Sequence, residues 1–220
     1  MLNVEKIYVL HYTKLIERKN NLDAYFASQG IEVEYITEYD QEDLSEEMIL
    51  ASYECNQQSY ESRIRPAYGD RYAPFRELNI AEISCTFKHR EAIKRIAQEC
   101  DNYGLILEDD VMFCENFPVT FNTFLQNTPK SWEAIFMGCC AGLHVPQHRL
   151  IQGINAYRMD HPASRGGDSY MLTKDAARRI SETMEKFVTI SDWELAYQIY
   201  RHDIETYWWE PSVIKQGSET

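Results

Sequence analysis

The sequence has no long apolar run; nothing in it approaches the roughly 20 residues that span a bilayer. Its first residues show no basic segment and no small-residue cleavage site, so no signal peptide is expected. Bases are scarce relative to acids, 22 Lys and Arg against 35 Asp and Glu, for a net charge of −13. Such a surface repels polyphosphate backbones, and nucleic acid is not expected as a partner. A small phosphate-bearing ligand stays admissible, because a bound divalent cation reverses the local sign. The six cysteines form no CxxC and no Cys/His cluster of zinc-ligand spacing. They read as reduced, mostly buried thiols, which suits a cytoplasmic protein, with a redox-active vicinal Cys139-Cys140 pair as the minor alternative. Internal repeats, low-complexity tracts, GxGxxG and a P-loop are all missing.

What is present is enough for one folded domain. The 220 residues are 44% hydrophobic and carry 15 Tyr, 9 Phe and 4 Trp. Short apolar runs alternate with longer amphipathic stretches, the pattern of an α/β protein. Ile7–Tyr12 reads as a buried strand, Thr13 as a helix cap, and Leu15, Leu22, Tyr25 and Phe26 as one helical face stopped by Gly30. A strand within 31–37 completes a βαβ unit. Leu44–Ser59 is expected as a helix and Arg63–Arg76 as a loop. The loop's arginines (Arg63, Arg65, Arg71, Arg76, with Arg90 beyond) either neutralise nearby acids or meet an anionic ligand. Asn79 and Glu82 have capping-box spacing before a helix reaching Cys100. Further strands are expected at Tyr103–Leu107, Ala134–Gly138, Ser169–Thr173 and Glu205–Trp209. Helices are expected from Pro118, over Lys174–Lys186, and after a Ser191/Glu194 capping box; 140–165 reads as irregular.

The informative feature is Glu108-Asp109-Asp110, directly after an all-apolar strand. In open α/β sheets ligands sit beyond the carboxyl ends of strands. If the chain stays extended there, Glu108 and Asp110 point the same way. Two carboxylates about 4 Å apart repel by on the order of 4 kcal/mol at an effective dielectric of 20, so such a pair calls for a proton or a cation. Hard oxygen donors suit Mn²⁺ or Mg²⁺. Three ordinary acids on a solvated turn are the plain alternative.

Glu82, Cys85 and His89, then a helix, then Leu105-Ile106-Leu107-Glu108-Asp109-Asp110 resemble glycosyltransferase family 25, whose pattern is an E-x-x-C-x-x-S-H stretch followed by an apolar strand ending in ILEDD. Lys88 stands where the family has Ser. Tyr8-Val9-Leu10 with Glu17-Arg18, His161-Pro162-Ala163 through Tyr170 and Ala176, Asp192-Trp193, and Glu210-Pro211-Ser212 with Gln216-Gly217-Ser218 are similar to the family's other segments. The likeness spans nearly the whole chain, and the family pattern continues a little beyond Thr220.

The resemblance implies an α/β, GT-A-like nucleotide-binding fold with a mainly parallel central sheet flanked by helices. Within the single domain, 1–115 would be the nucleotide-sugar half and 116–220 the acceptor half. It implies inverting transfer of a hexose, galactose first, from a UDP-sugar to a hydroxyl of a glycan, glycolipid or glycoprotein acceptor, as in lipooligosaccharide biosynthesis. Glu108 and Asp110 are then the metal ligands for Mn²⁺ or Mg²⁺, and Arg18, Glu108, Asp109 and His89 face the donor. Asp192 is the candidate base, with Asp168 and Glu194 as rivals; Asp192 otherwise offsets a helix dipole. Trp193 would stack on a sugar, His161 would lie near the site, and Trp208-Trp209 would pack the sheet. A metal-dependent nucleotidyltransferase or phosphohydrolase and a non-catalytic sugar-nucleotide or glycan-binding module are the alternatives. Contact with a membrane, if any, would be peripheral.

Overall fold

The computed structural model describes residues 2–69 and 73–217; Arg71 and Ser218 lie outside them. β1 (Lys6–Leu10), α1 (Ile16–Gln29) and β2 (Glu34–Ile36) form the opening βαβ unit, its strands parallel. Gly30 ends α1 at φ 61°, a left-handed conformation that a Cβ disfavours. Thr13 does not cap α1, which starts after Leu15; its N–H and hydroxyl donate to Asp40 instead.

The expected helix over 44–59 is two helices, α2 (Glu46–Ser52) and α3 (Gln57–Tyr68). They part where the Phe187 N–H donates to the Ser52 carbonyl and the Glu54 N–H to the Phe187 carbonyl. The expected loop at 63–76 is half helix: α3 runs on through Pro66, because Tyr60, Ile64 and Ala67 are buried, Tyr60 and Ile64 packing with Val188. Burial of that face overrides the local cost of proline. Arg63 donates to the Lys186 carbonyl at 2.6 Å, Arg90 to the Glu185 carbonyl at 2.8 Å, and Arg76 pairs with Glu82. These three arginines serve the fold rather than an anion site.

α4 (Ile80–Glu99) opens with the expected capping box, Glu82 N–H to Asn79 Oδ1 at 3.0 Å and Asn79 N–H to Glu82 Oε2 at 2.9 Å. β3 (Tyr103–Glu108), β4 (Val111–Phe113), α5 (Phe117–Asn127, proline in its first turn) and β5 (Ala134–Phe136) follow. The stretch read as irregular holds β6 (Ala156–Arg158). The chain closes with β7 (Ser169–Thr173), α6 (Lys174–Ser181), α7 (Ser191–Arg201), β8 (Thr206–Trp209) and β9 (Ile214–Gln216). α7 lacks the expected capping box: its N-cap is Ile190, and Glu194 is buried, accepting from Gln198 and the Val188 N–H.

Seven strands form one sheet in the order β2-β1-β3-β7-β5-β8-β6, and β4 pairs with β9 beside it. The sheet is mixed rather than mainly parallel. β7 lies antiparallel between β3 and β5, and β6 antiparallel on β8, while the other five strands share one direction. Strand alternation divides the core in two. Tyr8, Leu10, Ile106, Phe136, Tyr170, Leu172 and Trp208 face α4, α6 and α7. Ile7, Val9, Leu105, Leu107, Ile135, Met171 and Trp209 face α1 and α5. The cysteines are unpaired, as expected, but only Cys100 is buried and Cys55 is exposed.

Candidate active site

β1 leads outward to β2, and the chain then returns through α4 to β3 on the other side of β1. Neighbouring connections thus diverge between β1 and β3, and a cleft opens at their carboxyl ends. His11 follows β1 there and Glu108 ends β3. β7 runs the opposite way, so its amino end reaches the same edge: the Glu108 N–H donates to the Asp168 carbonyl at 2.9 Å.

The chain does not stay extended through the acidic triplet. β3 stops at Glu108, and Asp109-Asp110 form a turn into β4. The three acids consequently take different surroundings. Asp109 is buried: Oδ2 lies 2.7 Å from His11 Nδ1 and accepts from the Tyr12 N–H at 3.3 Å, and Oδ1 accepts from Arg18 at 2.8 Å. Asp110 Oδ2 stands 3.8 Å from the same guanidinium. Glu108 keeps a partly open carboxylate, with Oε1 3.3 Å from His89 Nε2 and Oε2 accepting from Gln216 at 3.4 Å.

His89 is buried on α4, its Nδ1 2.9 Å from the Tyr170 hydroxyl. Burial alone disfavours imidazolium, but Tyr170, Cys85 and Glu108 outweigh it and hold the pKa well above the ordinary value. Asp168 is buried beside Gly138, where an added Cβ would lie 1.9 Å from Asp168 Oδ2; only glycine fits. Its Oδ1 accepts from the Ser169 hydroxyl, while Oδ2 is buried with no hydrogen-bond partner among the described residues. Burial first, and Glu108 second, push its pKa up to about 7. Asp192, in the first turn of α7, abuts Gly167: a Cβ there would stand 2.6 Å from Asp192 Oδ1 and 3.1 Å from the His89 ring. Burial and then Glu108 raise the Asp192 pKa as well. Glu108 thus acts on both Asp168 and Asp192, while His89 favours the charged form of Asp192 and Arg165 lies within electrostatic reach of Asp168.

Other residues singled out in the sequence lie elsewhere or serve packing. Glu194 is enclosed with Gln198 and has Arg63 at 3.8 Å. His161 lies 3.3 Å from Asp203, past the far end of α7. Trp193 stacks on Tyr68 at 4.4 Å. Trp208 donates to the Ala163 carbonyl and Trp209 to Thr128, both inside the fold.

Sequence reasoning missed His11 and Lys88. His11 had a usable signal, since it follows an apolar strand just as Glu108 does. Lys88 is a buried ammonium donating to the His11 carbonyl at 2.8 Å, the Glu38 carbonyl at 2.8 Å and Asp40 Oδ1 at 2.7 Å. It braces α4 against the ends of β1 and β2. Beside this edge lies a cavity of about 320 Å³ whose walls include Leu10, Tyr12, Arg18, Cys85, Glu108 and Asp109. That is within the size range of small-ligand sites. A larger depression of about 580 Å³, around Tyr103 and Trp132, is at the opposite edge of the sheet.

An open α/β sheet with clustered carboxylates and an arginine at its switch point is the architecture of a ligand-binding or catalytic domain. Among known proteins, the pattern of glycosyltransferase family 25 (LPS biosynthesis protein) matches residues 4–195, and the chain belongs to that family. A glycosyltransferase 25 family member of Anopheles gambiae is 22% identical over 198 residues, 87% of this chain and 31% of the relative. One of Drosophila melanogaster is 28% identical over 112 residues, 51% of this chain and 17% of the relative. The chain thus spans less than a third of the length of these relatives. Among solved structures, A197 from STIV aligns with 94% of this chain and 81% of its own at 12% identity and a TM-score of 0.43.

Proposed function

We propose that this chain is a GT-A-type, inverting glycosyltransferase domain that moves a hexose, galactose first, from a UDP-sugar to a hydroxyl of a glycan or glycoconjugate. The reading rests on family membership and on one observation: Glu108, Asp168 and Asp192 converge at the switch-point edge, and the two aspartates keep raised pKa values there although His89, Arg18 and Arg165 stand nearby. An unpartnered buried Asp168 Oδ2 and a pKa pushed up to about 7 mark a deficit of positive charge. A hard divalent cation, Mn²⁺ or Mg²⁺, fits that deficit and the oxygen donors present. Glu108, which belongs to that trio, would hold it, with Asp110 as the second ligand that the family resemblance implies, and when bound it would supply positive charge to the diphosphate leaving group.

The chain's own groups have separable tasks. Arg18, held by Asp109 at the cavity rim, offers its guanidinium to the donor phosphates. Asp109 anchors Arg18 and His11 and itself lines the cavity. His89 steadies Glu108 from the protein side. Asp192 takes the acceptor hydroxyl's proton as the oxygen attacks the anomeric carbon and the sugar–phosphate bond breaks. Its raised pKa makes it a stronger base than an exposed carboxylate. Asp168, the more buried of the two, is the alternative base.

The test is a thermal-shift and transfer panel of UDP-sugars with and without Mn²⁺. A ligand at 100 times its dissociation constant stabilises by about 2.7 kcal/mol. A Mn²⁺-dependent shift for one UDP-sugar, with transfer to an added acceptor, both lost in Glu108→Ala/Asp110→Ala, is the expected result. Phosphate release without an acceptor would replace transfer with hydrolysis, and binding without either would make the domain a binding module.

A further inference from the structure

The structure assembles a second donor set that the spacing of its residues along the chain does not show. Cys85 and His89 are four residues apart on α4 and so share one helix face. Glu108 comes to them from the end of β3. One donor atom from each of Cys85, His89 and Glu108 lies within 4.8 Å of the other two. His89 Nε2 and Glu108 Oε1 are 3.3 Å apart. Zinc bond lengths of about 2.0–2.3 Å in a tetrahedron place ligand atoms roughly 3.3–3.8 Å apart, so a small inward movement closes the set.

We propose that Cys85, His89 and Glu108 form a binding site for a thiophilic divalent cation, zinc above all, with the fourth position open. Two further features fit. Cys85 and Glu108 both line the 320 Å³ cavity, so water or a ligand reaches the fourth position from there. With a metal bound, the Tyr170 hydroxyl, 2.9 Å from His89 Nδ1, would accept a hydrogen bond from the Nδ1 N–H, leaving Nε2 as the ligand atom. Metal-bound histidines ordinarily have such an outer partner, and its loss costs about 10–100-fold in affinity. The thiolate and imidazole favour zinc over Mn²⁺ or Mg²⁺. Zinc binding displaces one proton from Cys85 and any proton from His89 Nε2 to solvent. Because Glu108 belongs to both sets, zinc here would oppose the Mn²⁺-dependent turnover proposed above; that consequence alone rests on the transferase reading.

Binding is tested without turnover. Co²⁺ titrated into the purified protein should give a thiolate-to-cobalt charge-transfer absorption at one equivalent, bleached by one equivalent of Zn²⁺. The band should vanish in Cys85→Ser and persist in Asp110→Ala. Cys85→Ser should weaken Zn²⁺ binding at least tenfold by calorimetry, and Tyr170→Phe by about tenfold. In the unaltered protein Zn²⁺ should slow alkylation of Cys85 by iodoacetamide at least tenfold, a readout independent of any variant's folding. A cobalt complex without the band, unslowed alkylation, or Zn²⁺ affinity within twofold in Cys85→Ser would each overturn the site. If the band appears while Zn²⁺ leaves transfer unaffected, the metal site stands and its link to the active centre falls.

Discussion

Two sets of charge, one buried and one buried in part, lie at the carboxyl edge of the same sheet, and they are satisfied to different degrees. Lys88 donates to two carbonyls and to Asp40, and Arg165 donates to the carbonyls of Leu143 and Trp209 and to Glu210, each at 2.6 Å. Glu108 raises the pKa of both Asp168 and Asp192, and Asp168 Oδ2 has no hydrogen-bond partner among the described residues. Buried charge that is fully partnered fixes architecture, because removing either partner strands the other. Buried charge left in deficit raises pKa values and is where a ligand gains most. Lys88, Arg165 and Asp168 are all buried, so between them partnership and not burial makes the difference.

The comparison breaks most visibly at Lys88. Lys88→Met should destabilise the protein by about 3–5 kcal/mol in urea unfolding, since Asp40 is left uncompensated. Lys88→Met/Asp40→Asn should recover at least half of that loss. A cost below about 1 kcal/mol would show that the brace is dispensable.

The carboxylate set predicts the opposite sign. Asp168 has a folded pKa of about 7 against an ordinary 3.8, so the folded state holds its proton more tightly and stability falls as pH rises between those values. Without divalent cation, Asp168→Asn should therefore be more stable than the unaltered protein, by on the order of 4 kcal/mol above pH 8. The gain should shrink to nothing near pH 4. Thermal melts in EDTA across pH 4–8 read it, and a pH-independent difference would contradict the assignment. Added Mn²⁺ should stabilise the unaltered protein more than the variant.

Within the trio, Asp192→Asn should lower turnover at least tenfold, about 1.4 kcal/mol, with donor affinity nearly unchanged. A large loss of donor binding would put Asp192 on the donor side and favour Asp168 as base. The smallest effect lies outside both sets: Asn79→Ala should cost about 1 kcal/mol by unfastening the α4 capping box, with turnover retained. Equal losses from Asn79→Ala and Lys88→Met would erase the distinction between the partnered set and an ordinary cap.

Much of this protein is written locally. Short apolar runs such as Ile7-Tyr8-Val9-Leu10 and Ile135-Phe136 determine strands that bury both faces, and the Asn79/Glu82 pair determines where α4 starts, because these effects act within a few residues. The place of Glu108 after an apolar run pointed to the sheet edge where the carboxylates converge. Direction and partnership were not local. The antiparallel β7 between β3 and β5, Pro66 inside α3, and Glu194 enclosed rather than capping α7 are set by what packs against them. Lys88 and Asp40 are 48 residues apart, and Cys85 is joined by Glu108 through the packing of α4 against β3. Hydrogen bonds and electrostatic coupling fall off within a few ångströms, so which charges meet is decided only when the sheet brings distant segments to one edge.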